Sequence, residues 1–266
     1  MGKITKVALI LIGIGLLLGL LSVFLVRGDW TGYNSKGNEY VSKKYESNNG
    51  IKEIVIDESA NSTIIRSADI DNVVIDYYDN PDEPAYQIEE SDGKLIFSRH
   101  DRSIFRLINI DLSRKDITIT IPNDYEGLLD IDLTSGSLTA SGITVGELRA
   151  ENTSGSIVFT DVSSDGNISL DSTSGATELD NVEAGGNFTM ENTSGSIEFK
   201  KLKAGADIHI RNTTGSINGT IDGSESDYSI SSHTTAGSCN LKDSTGGAHE
   251  LNVSTTAGSI DIEFTK

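Results

Sequence analysis

The chain has 266 residues, with 40 acidic and 21 basic side chains, a formal net charge of −19, 27 glycines, 3 prolines and one cysteine. A lone thiol, Cys239, excludes an intrachain disulfide and a multi-cysteine zinc centre. The acidic balance argues against nucleic acid as a partner, since phosphate binding rests on Lys and Arg, and 36% hydrophobic residues in regular recurrence argue against disorder.

Residues 1–6 form a short basic end carrying Lys3 and Lys6. From Val7 to Val26 run 20 residues without a charge, enough as one transmembrane helix to cross the hydrocarbon core. The positive-inside tendency places residues 1–6 in the cytoplasm and everything after Arg27 outside. A cleaved signal peptide is the competing reading. It is disfavoured by the absence of an A-x-A site and of any cysteine for lipid attachment. Gly15 and Gly19 fit the G-x-x-x-G helix-packing pattern, and Trp30 and Tyr33 fall where interfacial aromatics sit. Arg27-Gly28-Asp29 spells an integrin-binding tripeptide, but its place at the bilayer edge reads as a charged stop.

Residues 27–50 are rich in Gly, Asn, Ser and Lys without an apolar period, which predicts a polar linker. Over 51–127 the pattern becomes strand-like but irregular. Ile54 and Ile56, Val73 and Ile75, Ile88, Leu95 and Phe97, Leu107 and Ile108, and then Ile117, Ile119 and Ile121 mark short strands. Turn clusters such as Asp79-Asn80-Pro81-Asp82 separate them. No helix-period stripe follows the anchor, so the exported part is expected to be all-β.

Residues 128–266 repeat. A Thr-Ser-Gly or related triplet places its Gly at 136, 155, 175, 195, 215, 237 and 258, so the period is close to 20 residues. Seven and five residues before that Gly stand Leu129/Ile131, Leu148/Ala150, Ile168/Leu170, Phe188/Met190, Ile208/Ile210 and Leu251/Val253. Two and four residues after it stand Leu138/Ala140, Ile157/Phe159, Ile197/Phe199, Cys239/Leu241 and Ile260/Ile262. At plus seven come Ile143, Val162, Val182 and Leu202. Members of each pair are two apart and face one side of a strand, while Glu151, Glu198 and Asp261 face water.

Both periods are met by a single-chain parallel β-solenoid, or β-helix, of about 20 residues per coil, in which successive coils stack about 4.8 Å apart. The Gly suits a corner because it accepts positive φ. Asn152, Asn192 and Asn212, three residues before it, are expected to form a hydrogen-bonded ladder beside Thr153, Thr193 and Thr213. An antiparallel meander turned at the same triplets is the alternative. Hairpin turns, however, prefer Asn-Gly or Asp-Gly and demand no constant offset.

Chemistry-bearing motifs are few. His100, His209, His233 and His249 belong to no metal spacing, and no nucleophile elbow, Walker loop or dinucleotide fingerprint occurs. Asp130 and Asp132 alternate around Ile131, as Asp261 and Glu263 do around Ile262. Such pairs could bind calcium or serve as catalytic acids in a polysaccharide-cleaving β-helix, but neither pair has a convergent cluster around it. No catalytic, metal or cofactor residue is therefore assigned. Cys239 takes an inward offset and is expected to be a buried, inert thiol.

The run Ile117-Thr118-Ile119-Thr120-Ile121-Pro122, followed by Leu129-Asp130-Ile131 leading into Thr134-Ser135-Gly136-Ser137, resembles the bacterial "putative adhesin" β-strand-repeat family over residues 51–266. That family has no established general activity and supplies no functional residue. One amino-terminal span ahead of the repeat is similar to the layout of anchored members associated with the envelope stress response of Gram-positive bacteria. The expectation is a non-enzymatic, single-pass protein of the cell membrane whose extracellular solenoid meets envelope polymers or membrane proteins. An accessory acting on a membrane-embedded stress sensor is the alternative, and a polysaccharide-active enzyme the second alternative.

Overall fold

The computed structural model of the chain describes residues 40–48, 50–100 and 116–266. The anchor read over 7–26 and the strand read at Leu107 and Ile108 lie outside the described residues. Among the described residues no helix is long and apolar enough to cross a membrane.

The amino-terminal region supplies β1 (Val41–Glu46), β2 (Glu53–Glu58), β3 (Thr63–Ala68), β4 (Val74–Asp79), β5 (Tyr86–Ser91), β6 (Lys94–Arg99) and β7 (Ile117–Pro122). The repeats supply β8 (Leu128–Leu133), β9 (Leu138–Val145), β10 (Glu147–Ser154), β11 (Ile157–Ser164), β12 (Ile168–Ser174), β13 (Thr177–Ala184), β14 (Phe188–Ser194), β15 (Ile197–Ala204), β16 (Ile208–Thr214) and β17 (Ile217–Ile221). A short 3₁₀ turn, Glu225–Asp227, leads into β18 (Tyr228–Ala236), β19 (His249–Ala257) and β20 (Ile260–Phe264). The expected all-β class is found.

The described residues form two 10-stranded sheets, ordered β1-β4-β7-β3-β9-β11-β13-β15-β17-β20 and β5-β6-β2-β8-β10-β12-β14-β16-β19-β18. Pairing between repeats is parallel, and the register is the sequence offset itself: Leu148 lies beside Ile168, Ile168 beside Phe188, and Phe188 beside Ile208. The meander is thereby excluded for the repeats, because neighbouring strands run the same way. The aliphatic residues at the fixed offsets from Leu129 to Leu202 are buried, as are Leu251, Val253, Ile260 and Ile262. They form one continuous core with the inward residues of β2, β3, β6 and β7. A single coil could not cover both of its faces, so stability belongs to the stack.

Two kinds of corner bend each coil. At the first, Gly155, Gly175, Gly195 and Gly215 hold φ between +131° and +136°. The inward side chain three residues earlier lines this corner. The Nδ2 of Asn152 donates to the Gly136 carbonyl at 3.2 Å, and that of Asn212 to the Gly195 carbonyl at 2.8 Å. Asn192 turns to the Gly195 carbonyl of its own coil at 3.1 Å. Thr255 Oγ1 donates in the same way to Gly215 at 3.1 Å, and Thr234 Oγ1 to Gly258 at 2.8 Å. The expected ladder is thus found at Asn152 and Asn212, which bridge neighbouring coils, and is interrupted at Asn192; all three asparagines are buried.

The second corner is left-handed backbone inside β9, β11, β13 and β15, where Gly142, Asp161, Asn181 and Lys201 have φ of 60°, 53°, 57° and 53°. Asp and Asn tolerate this region, whereas a long side chain such as Lys does so at a cost. Lys201 is exposed, and its N–H donates to Thr220 Oγ1 at 2.9 Å, a bond that glycine would keep. Lys201→Gly should therefore stabilise the protein by about 0.5–1 kcal/mol in urea denaturation. A loss of stability would show that the Lys side chain, rather than its backbone, matters there.

At both ends spatial order departs from chain order, which corrects the expectation that successive coils stack in sequence. The β2–β3 coil sits between β8–β9 and β6–β7, so the chain passes over it on the way from β7 to β8. At the other end β19 lies between β16 and β18. Thr-Thr-Ala-Gly-Ser occurs at both 234–238 and 255–259, so the two coils carry the same corner and either could meet β16 in the same register. Parallel pairing also ends at the amino-terminal side, where β1–β4, β4–β7 and β5–β6 are antiparallel. The linker read over 27–50 is corrected as well, since Val41–Glu46 is a strand of the first sheet. Cys239, bridged to Ile260 at the outer edge of β20, is only partly buried, which corrects the expectation of a buried thiol.

The strands at this amino-terminal end are tied across the two sheets. The Tyr45 hydroxyl of β1 donates to Glu90 Oε2 of β5 at 2.6 Å, and the same carboxylate accepts the Asn48 side-chain amide at 2.7 Å. Burial, then the Glu90 hydrogen bond and charge, push the Tyr45 phenol up to about 12. The Tyr45 bond holds Glu90 below the usual carboxylate range. A raised phenol favours folding below its ordinary value of 10.0, and that contribution is lost as pH rises toward about 12. The lowered carboxylate contributes above its ordinary 4.5 and fades on acidification below it. The phenolate absorbance that distinguishes the parent chain from Tyr45→Phe should accordingly rise near pH 12 rather than pH 10. A difference curve centred at 10 would mean that the bond is not made in solution.

Candidate interaction surface

Because side chains alternate along each strand, the residues between the buried ones form the outer faces. On the first sheet the 20-residue register aligns Val158, Glu178, Glu198, Asn218 and Asp261 in one column. A second column begins Thr160, Asp180, Lys200 and, after a register shift between Phe199 and Leu202, continues as Thr220 and Glu263. Together the columns line a shallow trough of about 540 Å³ crossing β11, β13, β15, β17 and β20. Its floor is backbone with Phe159, Leu179, Phe199 and Gly219. Five carboxylates and one ammonium group, that of Lys200, line it, so the trough attracts cations.

The second sheet carries a different pattern. Asp57, Asp132, Glu151, Asp171 and Glu191 follow one another in register, one per coil, and Arg211 ends the column. Arg211 reaches Glu191 at 3.7 Å with both groups exposed, a weak pair in water. Like charges about 5 Å apart in water repel by about 0.8 kcal/mol, so this column favours raised ionic strength or a cationic partner. Beside it Thr134, Thr153, Thr173, Thr193, Thr213, Thr256 and Thr235 form an exposed column at the glycine corners.

The carboxylates singled out in the sequence thus fall on different sheets. Asp130 lies in register with Arg149 and Asp132 with Glu151, both on the second sheet, whereas Asp261 and Glu263 line the trough on the first. The two pairs do not converge. His209 faces outward, with its Nδ1 3.1 Å from the Asn252 amide nitrogen. Among the described residues no three His, Cys, Asp or Glu side chains come together in a way that could hold a metal ion. Sequence reasoning missed Glu178 and Asp180 in the trough, and it missed the carboxylate column as a column. The signal for the column was an acidic residue four positions before each of Gly136, Gly155, Gly175 and Gly195.

Comparison with known proteins follows the same boundaries. The profile of the Toastrack DUF4097 family matches residues 51–266. No curated protein matches the chain. Among solved structures, a "putative cell adhesion protein" from Clostridium sporogenes is similar at 11% identity and a TM-score of 0.45, over 85% of this chain and 100% of that one. A "putative adhesin" from Bacteroides fragilis is similar at 14% identity and a TM-score of 0.32, over 85% and 97% of the two chains. Another from Parabacteroides distasonis has 13% identity and a TM-score of 0.36, over 84% and 97%.

Proposed function

We propose that this chain, which belongs to the Toastrack DUF4097 family, is a non-enzymatic, adhesin-like surface protein held in the cell membrane by residues 7–26. Its β-stack projects outside the membrane and binds envelope components that carry amines. The observation that supports this reading is the acidic trough running across five coils of the first sheet, a long lateral surface suited to an extended ligand rather than a small substrate. Charge complementarity selects a cationic polymer or a basic protein segment.

Co-sedimentation of the purified full chain with isolated cell walls and with membranes, at low and raised salt, tests it. Glu178→Gln, Glu198→Gln and Asp261→Asn combined should weaken wall binding about tenfold or more at low salt, at about 0.5–1 kcal/mol per charge. Added salt should weaken the parent chain similarly. Wall binding indifferent to both changes would remove the trough from consideration. Binding to the membrane fraction alone would favour an accessory acting on a membrane partner instead. Protection of the β-stack from protease on intact cells would overturn the extracellular placement.

A further inference from the structure

The carboxyl-terminal end of the stack is where both sheets stop, at β18 and at β20. A sheet that stops in solvent offers unpaired N–H and C=O groups to any other strand. Here residues 237–248 of the same chain take up those groups. Ile230 of β18 exchanges both main-chain hydrogen bonds with Ser244, each at 3.0 Å. Along the same edge the Ser232 N–H donates to the Asp243 carboxylate at 2.8 Å, and the Ser232 hydroxyl approaches the same oxygen at 3.2 Å.

On β20 the closure is similar. The Ile260 N–H donates to the Ser238 carbonyl at 2.8 Å, and the Ile260 carbonyl accepts the Asn240 N–H at 3.2 Å. One step further along, the side chain of Asn240 replaces main chain. Its Nδ2 donates to the Ile262 carbonyl at 2.9 Å, and its Oδ1 accepts the Ile262 N–H at 3.0 Å. A carboxamide can imitate a peptide group in both senses. Each terminal strand is thus met at two alternate residues whose main-chain groups point off the sheet edge, and in each the second contact is made by a side chain.

We infer that residues 237–248 are a cap that keeps this end from adding a second copy of the chain, strand against strand. The occupant it excludes follows from the two edges together. An isolated extended peptide could satisfy β18 or β20, but only another stack end presents two edges at matching separation. Pairing of like end with like end closes after two copies, as an isologous contact must. The cap is held mainly by polar contacts, with Asn240 and Asp243 both exposed and Cys239 and Leu241 only partly buried. It can therefore lift without unfolding the core coils.

The test uses the full chain carrying Asn240→Ala and Asp243→Ala together, compared with the unsubstituted chain. Cys239 is the only thiol and reports opening through its rate of maleimide labelling. Labelling in dilute solution should accelerate about tenfold, and sedimentation velocity should show a concentration-dependent doubling of mass that slows labelling again. Faster labelling with no added self-association would overturn the inference, and so would unchanged labelling. If the double variant fails to fold by circular dichroism, native-state hydrogen exchange on the unsubstituted chain decides. The Ile230 and Ile262 amides should exchange together, well ahead of Ile208, and exchange of all three only with global unfolding would overturn the cap.

Discussion

Gly175→Ala is expected to destabilise the stack by about 3–5 kcal/mol, enough to unfold a marginal domain. Two costs combine. The residue has φ of +136°, where an L side chain is strained. A Cβ placed on it would also overlap the carbonyl group of Gly155 in the neighbouring coil. That carbonyl is rigid main chain, so relief requires the two coils to move apart and their hydrogen bonds to lengthen. Gly142→Ala separates the two costs, because Gly142 has φ of +60° but nothing within 4 Å of the place its new methyl group would take. It should cost only about 1–2 kcal/mol, the penalty for left-handed backbone.

Position along the stack should matter as well. Gly237 meets the carbonyl of Gly258 in the same way, but it belongs to the outermost coil. In a stack with nearest-neighbour energetics, Gly237→Ala loosens the end while Gly175→Ala divides the whole. Urea denaturation followed by circular dichroism and by Cys239 labelling distinguishes them. Equal losses at Gly142, Gly175 and Gly237 would show that the close approach between coils is not what the corner glycines protect.

These corner glycines were legible because one residue type meets two requirements that recur in every coil. The aliphatic columns were legible for the same reason, since a parallel register converts a sequence offset directly into spatial adjacency. Even the gaps obey it: Thr177/Leu179 and Ile217/Gly219 occupy the inward offsets in coils whose apolar pattern is interrupted. Coil order was not legible at the ends, because the Thr-Thr-Ala-Gly-Ser corners at 234–238 and 255–259 are identical and period alone cannot rank them. The left-handed corner left only Gly142, Asp161, Asn181 and Lys201 as a trace, and Lys in that position points the wrong way. For the trough, the alternation of Asp261 and Glu263 was visible. Their union with Glu178, Asp180 and Glu198 depends on β20 lying beside β17 rather than beyond β18.

The second large effect is expected at Glu58, a carboxylate with no solvent exposure. Its place is explained by the same register that aligns the corners. Glu58 lies beside Leu133, and Leu133 beside Asn152, so Glu58 heads the buried corner column that continues through the asparagines. There it serves a corner without the glycine triplet. Its Oε1 accepts the N–H groups of Ala60 at 2.7 Å and Asn61 at 3.0 Å, and Arg99 Nη1 lies 3.4 Å away. Its Oε2 accepts the Tyr86 hydroxyl at 2.7 Å, while that hydroxyl accepts the Asn61 amide at 2.7 Å. Tyr86 stacks on Phe97 at 4.9 Å between ring centres, with the Arg99 guanidinium 5.7 Å above the Tyr86 ring. Burial, with the adjacent Glu58 charge, pushes the Tyr86 phenol well above its ordinary range.

Glu58→Ala would leave two main-chain donors and a phenol without their carboxylate acceptor and would remove the Arg99 contact. The expected loss is about 3–5 kcal/mol, since three buried donors lose their acceptor at about 1–3 kcal/mol each before the site relaxes. Glu58→Gln keeps one acceptor oxygen and most of the volume, and should lose only about 1–3 kcal/mol. Combining Glu58→Gln with Tyr86→Phe should cost less than the two single losses added, by about 1 kcal/mol, since both remove the same bond. An alanine loss below about 1 kcal/mol would mean that the corner holds without the carboxylate. The amino-terminal coil would then owe its shape to the Tyr77, Tyr86 and Phe97 ring cluster alone, in which Tyr77 lies 5.3 Å from each of the other two rings.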